Sequence, residues 1–194
     1  MERALSGLEF NTVTTDKLTD NQIALIRDLF DQNYQQANHT YLVNSLKALR
    51  NISMALDADR LVGFSLADSV SLAIPRMKKE QLVMLGGLGC IDPRYRRLGL
   101  FSHLANLAGG ERETVFSRAD RVLACARIAH PASFRTLRRL PGVIPNKALP
   151  LTEWHLEVGA AIAELYKIQL KPGTLIVKGT GTPIGYPNIE VEVS

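Results

Sequence analysis

Cysteine is scarce: Cys90 and Cys125 are the whole complement of a 194-residue chain, and both sit inside apolar runs. That excludes a disulfide-built fold, and two cysteines cannot make a structural zinc site alone. The four histidines, His39, His103, His130 and His155, show no ligand spacing around them, so no metal is expected. No apolar window reaches the roughly 20 residues of a membrane span, so no membrane is expected either. The opening Met1-Glu2-Arg3-Ala4-Leu5-Ser6 lacks the apolar stretch of a signal peptide. A reducing cytoplasm is the expected compartment. Repeats, low-complexity tracts and Gly/Ser linkers are also missing, which leaves residues 1–194 as one continuous domain.

What is present suits a folded protein. Apolar residues make up 46% and charged residues 22%, near the average of soluble domains. A chain of this length buries roughly 70% of the surface its unfolded form exposes, enough for a core without staples. The net charge of +4 is unevenly placed. Between Arg94 and Arg139 lie ten arginines, no lysine and three acids, Glu111, Glu113 and Asp120. That stretch alone carries +7, and the rest of the chain sums to −3. Guanidinium groups offer phosphate a planar, two-pronged donor. The regional cluster therefore favours a phosphate-bearing ligand, while each arginine taken singly also fits a solvated helix face. Aromatic residues are only 6% and do not interleave with these arginines, so no stacking platform for nucleic acid is expected.

The apolar patterning predicts a mixed α/β protein. Leu8 to Val13 alternates as a first strand. Thr19 and Gln22 have capping-box spacing, and Ile23, Ile26, Phe30 and Tyr34 follow at helical intervals. A second helix covers Thr40 to Arg50. Ile52–Leu56 and Leu61–Leu72 read as strands joined by the polar turn Asp57-Ala58-Asp59-Arg60. Leu82 to Ile91 is continuously apolar, as a strand covered on both faces would be. Its Gly86, Gly87 and Gly89 mark a bulge or a close approach by another backbone or a ligand. A turn at Asp92-Pro93-Arg94-Tyr95 leads into a helix whose apolar side holds Leu98, Phe101, Leu104, Ala105 and Ala108. Val122 to Ile128 is a further strand, and Pro131 suits the first position of a helix opened by His130. There Phe134, Leu137 and Leu140 face one way and Arg135, Arg138 and Arg139 another. Leu151–Ile168 reads as an amphipathic helix, with closing strands at Leu175–Val177 and Ile189–Val193 around a Gly/Pro-rich loop. Hairpins in front and a strand–helix–strand centre point to a mixed, mostly antiparallel sheet flanked by helices.

One motif carries chemistry. Cys90-Ile91-Asp92-Pro93-Arg94-Tyr95-Arg96-Arg97-Leu98-Gly99-Leu100-Phe101 resembles the acyl-coenzyme A signature of the GNAT superfamily of N-acetyltransferases. There a strand ends in an apolar residue, x, Pro, x, Tyr, Arg segment, and Arg/Gln-x-x-Gly-x-Gly/Ala starts a helix. Arg96 fills the Arg/Gln position and Gly99 the central glycine, while Phe101 stands where Gly or Ala is usual. The order of elements resembles that fold from about residue 8 to residue 143. From about residue 145 the chain is an atypical extension, which either reshapes the acceptor cleft or builds a homodimer contact.

The resemblance implies that acetyl-CoA, or another acyl-CoA, is a co-substrate held by Cys90, Ile91, Arg96, Arg97, Leu98, Gly99, Leu100 and Phe101. Elementary physics supports this: N–H groups in the first turn of a helix lack internal partners, and the helix dipole adds positive potential there. Phe101 shares a face with Leu104 and Ala105 and is expected to point into the core. The glycine-bearing strand offers bare backbone to an extended pantetheine arm. The structural reading of Gly99, tight helix–strand packing, stands beside this one.

His130-Pro131-Ala132-Ser133-Phe134-Arg135-Thr136-Leu137-Arg138-Arg139-Leu140 is similar in length to a later segment of the family, with His130 in its Asn position. Leu137 takes the place of a tyrosine that often protonates the departing thiolate, and a leucine cannot donate a proton. Many members also use a Glu on the strand before the motif, whereas here the nearest acid is Glu80, at that strand's start. His130 is the best-placed candidate base, since an imidazole can take a proton near neutral pH; a capping or core histidine fits the same position. The expected function is acetyl transfer from acetyl-CoA to a small-molecule or protein amine, by direct attack in a ternary complex. A non-catalytic acyl-CoA sensor of the same fold is the alternative. His39, Tyr41 and Glu153-Trp154-His155 are polar and aromatic groups that could line the acceptor site.

Overall fold

The computed structural model describes residues 5–110, 122–128, 142–145, 149–178 and 182–183. The elements follow in the order β1 (Glu9–Thr14), α1 (Asp20–Asn33), β2 (Tyr34–Gln35), α2 (His39–Ala48), β3 (Asn51–Asp57), β4 (Arg60–Leu72), β5 (Gln81–Ile91), α3 (Leu100–Gly109), β6 (Val122–Ala126), α4 (Glu153–Leu165) and β7 (Thr182–Pro183). The helix expected after His130, with Leu137, Arg135, Arg138 and Arg139, lies outside the described residues. So does the strand expected at Ile189–Val193.

Local chemistry sets the boundaries. At α1 the Gln22 amide donates to the Thr19 hydroxyl (3.2 Å) and the Thr19 amide to the Gln22 side chain (3.0 Å), a reciprocal cap that satisfies two end-of-helix donors. The start of α4 is capped in the same way by Thr152 and His155. Helix α2 is capped by Asn38, whose side chain accepts from the Tyr41 amide (3.0 Å).

Five strands form one sheet in the order β1-β3-β4-β5-β6. Every pairing is antiparallel except β5 with β6. The short β2 and β7 pair separately. The sheet is covered on both faces, as the continuous apolar run of β5 requires. On one face α1, α2 and α4 bury Ile26, Leu29, Phe30, Leu42, Leu49, Val158, Ile162 and Tyr166 against β3–β5. On the other, α3 buries Leu100 and Leu104 against Ala55, Val62 and Ile91. Among the described residues, no helix is long and apolar enough to cross a membrane.

The expected strand at Leu175–Val177 is reduced to a single bridge between Leu170 and Val177. The segment is too short and too interrupted by Pro172 and Gly173 to extend a ladder.

Candidate active site

The sheet opens beside β5. Strand β6 pairs with β5 only from Leu82 to Gly86. One more bond, from the Arg127 amide to the Gly86 carbonyl (3.2 Å), ends the pairing. Among the described residues, nothing pairs with Gly87–Ile91 on that edge, so the two strands form a fork.

The fork has a cause in β5 itself. Ser65 pairs with Gly89 and Ala67 with Gly86, so β5 carries one extra residue there, a bulge at Gly87–Leu88. Both of these residues consequently face the α1/α2 side. Leu88 is buried in that core, and a Cβ on Gly87 would lie 1.9 Å from Leu49 Cδ1. The Asp92 amide donates to the Val62 carbonyl (2.9 Å), a register that aims the peptide groups of Cys90 at β4 and those of Gly89 and Ile91 at the open side.

Beyond the fork a set of side-chain contacts leads the chain into α3. The carboxylate of Asp92, 2% exposed, accepts from the Arg94 amide (2.9 Å) and pairs with Arg60 and Arg94. Arg96 turns its side chain inward, donating from Nε to the Ile91 carbonyl (3.2 Å) and from Nη2 to Asn33 Oδ1 (2.8 Å). It therefore ties the turn to the end of α1. Arg97 at φ +66° and Gly99 at φ +84° reverse the chain, a conformation that glycine adopts without steric cost. The His103 amide is the first to bond back, to the Gly99 carbonyl (3.1 Å). The N–H groups of Leu100, Phe101 and Ser102 therefore have no partner inside the helix, which makes this end receptive to an anion.

The residues singled out in the motif have distinct places. Gly99 and the first-turn amides form the anion-receptive end, and Arg97 is exposed beside it. Arg96 and the Ile91 carbonyl buttress the turn. Cys90 is 3% exposed in the α1/α2/α4 core, and burial pushes its thiol far above the ordinary range. It contributes backbone, not a nucleophile. Cys125 is pushed up to about 11, also by burial.

Phe101 departs from expectation. It is 47% exposed rather than in the core. The helix starts only at Leu100, so the buried stripe is Leu100, Leu104 and Ala108, and Phe101 is rotated onto the rim. Its ring leans on the bare backbone of Gly89, where a Cβ would come within 2.6 Å of Phe101 Cε2. His130 lies outside the described residues.

Two residues at the fork escaped the sequence reading. The Tyr166 hydroxyl donates to the Gly86 carbonyl (2.7 Å) and reaches the Cys125 carbonyl (3.3 Å), joining β5 and β6 where they part. Arg127 lies with its guanidinium carbon 4.8 Å from the Tyr41 ring centre and 4.6 Å from that of Tyr166. A signal existed for Arg127, since it closes the otherwise apolar run Val122–Ile128. Tyr166 gave none.

Of the groups expected to line the acceptor site, only Tyr41 reaches the fork. His39 pairs with Asp31 (2.7 Å), Glu153 with Arg76 (2.9 Å), and Trp154 donates to the Pro75 carbonyl (2.9 Å).

No family model matches the sequence, and neither does any curated protein. Solved structures do match. An aminoglycoside antibiotic 6'-N-acetyltransferase from Acinetobacter haemolyticus superposes with a TM-score of 0.50 at 11% identity, covering 75% of this chain and 97% of that one. The chain has the GNAT fold. A ribosomal-protein-alanine N-acetyltransferase from Brucella melitensis gives 0.49 at 11% identity, over 75% of this chain and 98% of the other. An aminoglycoside N-acetyltransferase in complex with CoA gives 0.46 at 12%, over 75% and 94%.

Within this GNAT fold the clasp on the fork comes from the segment after residue 145, where the sequence resemblance is weakest. Removing its hydroxyl should be felt. Tyr166→Phe should lower stability by about 1–2 kcal/mol, the value of a buried hydrogen bond whose acceptors lose their partner. In calorimetry that is a fall of roughly 2–8 °C in the midpoint. A change below about 0.5 kcal/mol would show that the hydroxyl does not hold the strands.

Proposed function

We propose that the chain is an acyl-CoA-dependent N-acyltransferase, transferring acetyl from acetyl-CoA to a primary amine by direct attack in a ternary complex. The observation that carries this reading is the fork in β5/β6 opening immediately ahead of the Gly99-capped start of α3. The edge at the Gly89 peptide and the Ile91 amide, which no described strand pairs, suits an extended amide-bearing arm that would hydrogen-bond there like an added strand, while the Ile91 carbonyl is held by Arg96. The unpartnered amides of Leu100, Phe101 and Ser102 suit its pyrophosphate.

The chemistry required is simple. The amine lone pair attacks the thioester carbonyl, the C–S bond breaks, the nitrogen loses a proton and the thiolate gains one. Strand β5 carries no carboxylate, and the Tyr166 proton is engaged by the Gly86 carbonyl. Positioning in the fork is then the main source of rate. The amine arrives deprotonated from solvent, and His130 contributes at most secondary proton transfer. The same lack of a strand carboxylate favours the second reading, a sensor that binds acyl-CoA without turning it over.

Two measurements on the purified chain separate these outcomes. Acetyl-CoA should raise the melting temperature, and thiol release should appear with members of an amine panel. Stabilisation by acetyl-CoA with no thiol release from any amine selects the sensor. No stabilisation by any CoA thioester removes both.

A further inference from the structure

Arg127 is a half-buried cation held, among the described residues, by neutral groups alone. Its Nη2 donates to the Ser45 hydroxyl (2.9 Å), and that hydroxyl gives its own proton to the Tyr41 carbonyl (2.7 Å). The rings of Tyr41 and Tyr166 flank the guanidinium. Its Nε is buried with no acceptor. Among the described residues, no carboxylate pairs with it, whereas Arg60, Arg76 and Arg94 each meet an acid.

Such an arrangement needs an explanation. A guanidinium taken out of water without a counter-charge is unfavourable, and a buried donor without an acceptor adds to that cost. Aromatic faces offset part of it and hold the planar group in one orientation. Ser45 takes one Nη2 hydrogen and Nε is closed off, so what remains for an incoming carboxylate is the outer edge, Nη1 with the second hydrogen of Nη2, for which no described residue provides an acceptor.

Position defines which anion. The Arg127 amide bonds to Gly86 at the end of the β5/β6 pairing, so the side chain emerges at the fork. It points to Tyr41 and Ser45 on α2 and to Tyr166 after α4, the face opposite α3. The amides that suit a pyrophosphate are therefore across the sheet from it. The anion at Arg127 is not part of CoA but belongs to whatever enters the fork from the α2/α4 side.

We propose that Arg127 is a carboxylate receptor in the acceptor subsite, and that the acceptor is an amine bearing a carboxylate close to its nucleophilic nitrogen, as amino acids do. This rests on the acyl-transfer reading above. It makes polycationic amines poor acceptors, since the first charge they meet at the fork is positive.

The test uses the full chain, acetyl-CoA and free amino acids, each paired with its own amide. The amide keeps the amine and removes the charge. The expected result is a kcat/KM for the best acids roughly 10- to 100-fold above their amides, the range of one charge-assisted contact. In Arg127→Gln the acid-to-amide ratio should fall to about one. Arg127→Lys should restore only part of it, because the ammonium lacks the planar fork. A merely structural arginine would lower both members of each pair and leave the ratio unchanged, which overturns the inference. Equal use of acids and amides by the unaltered protein overturns it too, and leaves acyl transfer standing.

A binding measurement keeps the inference independent of turnover. N-acetyl amino acids, but not their amides, should stabilise the protein against heat, and Arg127→Gln should abolish that difference. Stabilisation without any acetyl transfer would remove the enzyme reading alone. No stabilisation by any N-acetyl amino acid would remove the receptor.

Discussion

Replacing Gly99 by aspartate should weaken acetyl-CoA binding roughly a hundredfold more than replacing it by asparagine. The two side chains match in size, and both tolerate the left-handed backbone that Gly99 adopts at φ +84° better than other residues do. Strain and crowding are therefore common to both variants, and charge separates them. A carboxylate about 4 Å from a phosphate near a protein surface is opposed by about 4 kcal/mol before screening; half of that already exceeds a tenfold effect. The difference should shrink as salt is added. A short pantetheine thioester, which has no pyrophosphate, should not distinguish the two variants. Equal affinity of both for acetyl-CoA at low salt would remove the phosphate from this end of α3.

The second large effect is on stability. A Cβ at Gly87 would sit 1.9 Å from Leu49 Cδ1 and 3.1 Å from the Leu66 carbonyl. Leu49 is 1% exposed and packed in the main core, so its methyl cannot swing away freely. Gly87→Ala should cost about 1–3 kcal/mol through overpacking, a fall of roughly 2–12 °C in the melting midpoint. The cause can be isolated with Leu49→Ala, which by itself leaves a cavity. Combined with Gly87→Ala it should be less damaging than the two single losses added, by about 0.5–3 kcal/mol. Strict additivity would mean that the bulge, not the contact with Leu49, demands glycine at 87.

The sequence was most legible where interactions are local. The Thr19/Gln22 cap, the polar turn between β3 and β4, and the glycines of β5 all act within a few residues. The resemblance around Pro93, Arg96 and Gly99 led to the turn that caps α3. Phe101 was misplaced because its spacing to Leu104, Ala105 and Ala108 fits a core stripe, whereas in the structure Leu100 takes that face and leaves Phe101 at its rim. Nothing local to the motif revealed that the Arg96 side chain also reaches Asn33 at the far end of α1. Arg127 and Tyr166 were invisible as a pair, since nothing in either segment encodes the other.

Sequence distance at the fork has a kinetic consequence. Tyr166 is 80 positions from Gly86 and 41 from Cys125. Contacts of that span require large loops to close before any bond rewards the closure, which slows their formation. The hairpins β3–β4 and β4–β5 can assemble from neighbouring chain, but the fork gains its clasp only once α4 has docked. A nascent chain that has not yet released residue 166 would hold the sheet without the part that keeps β5 and β6 joined at their parting point, so the geometry of the fork is among the last things this protein acquires.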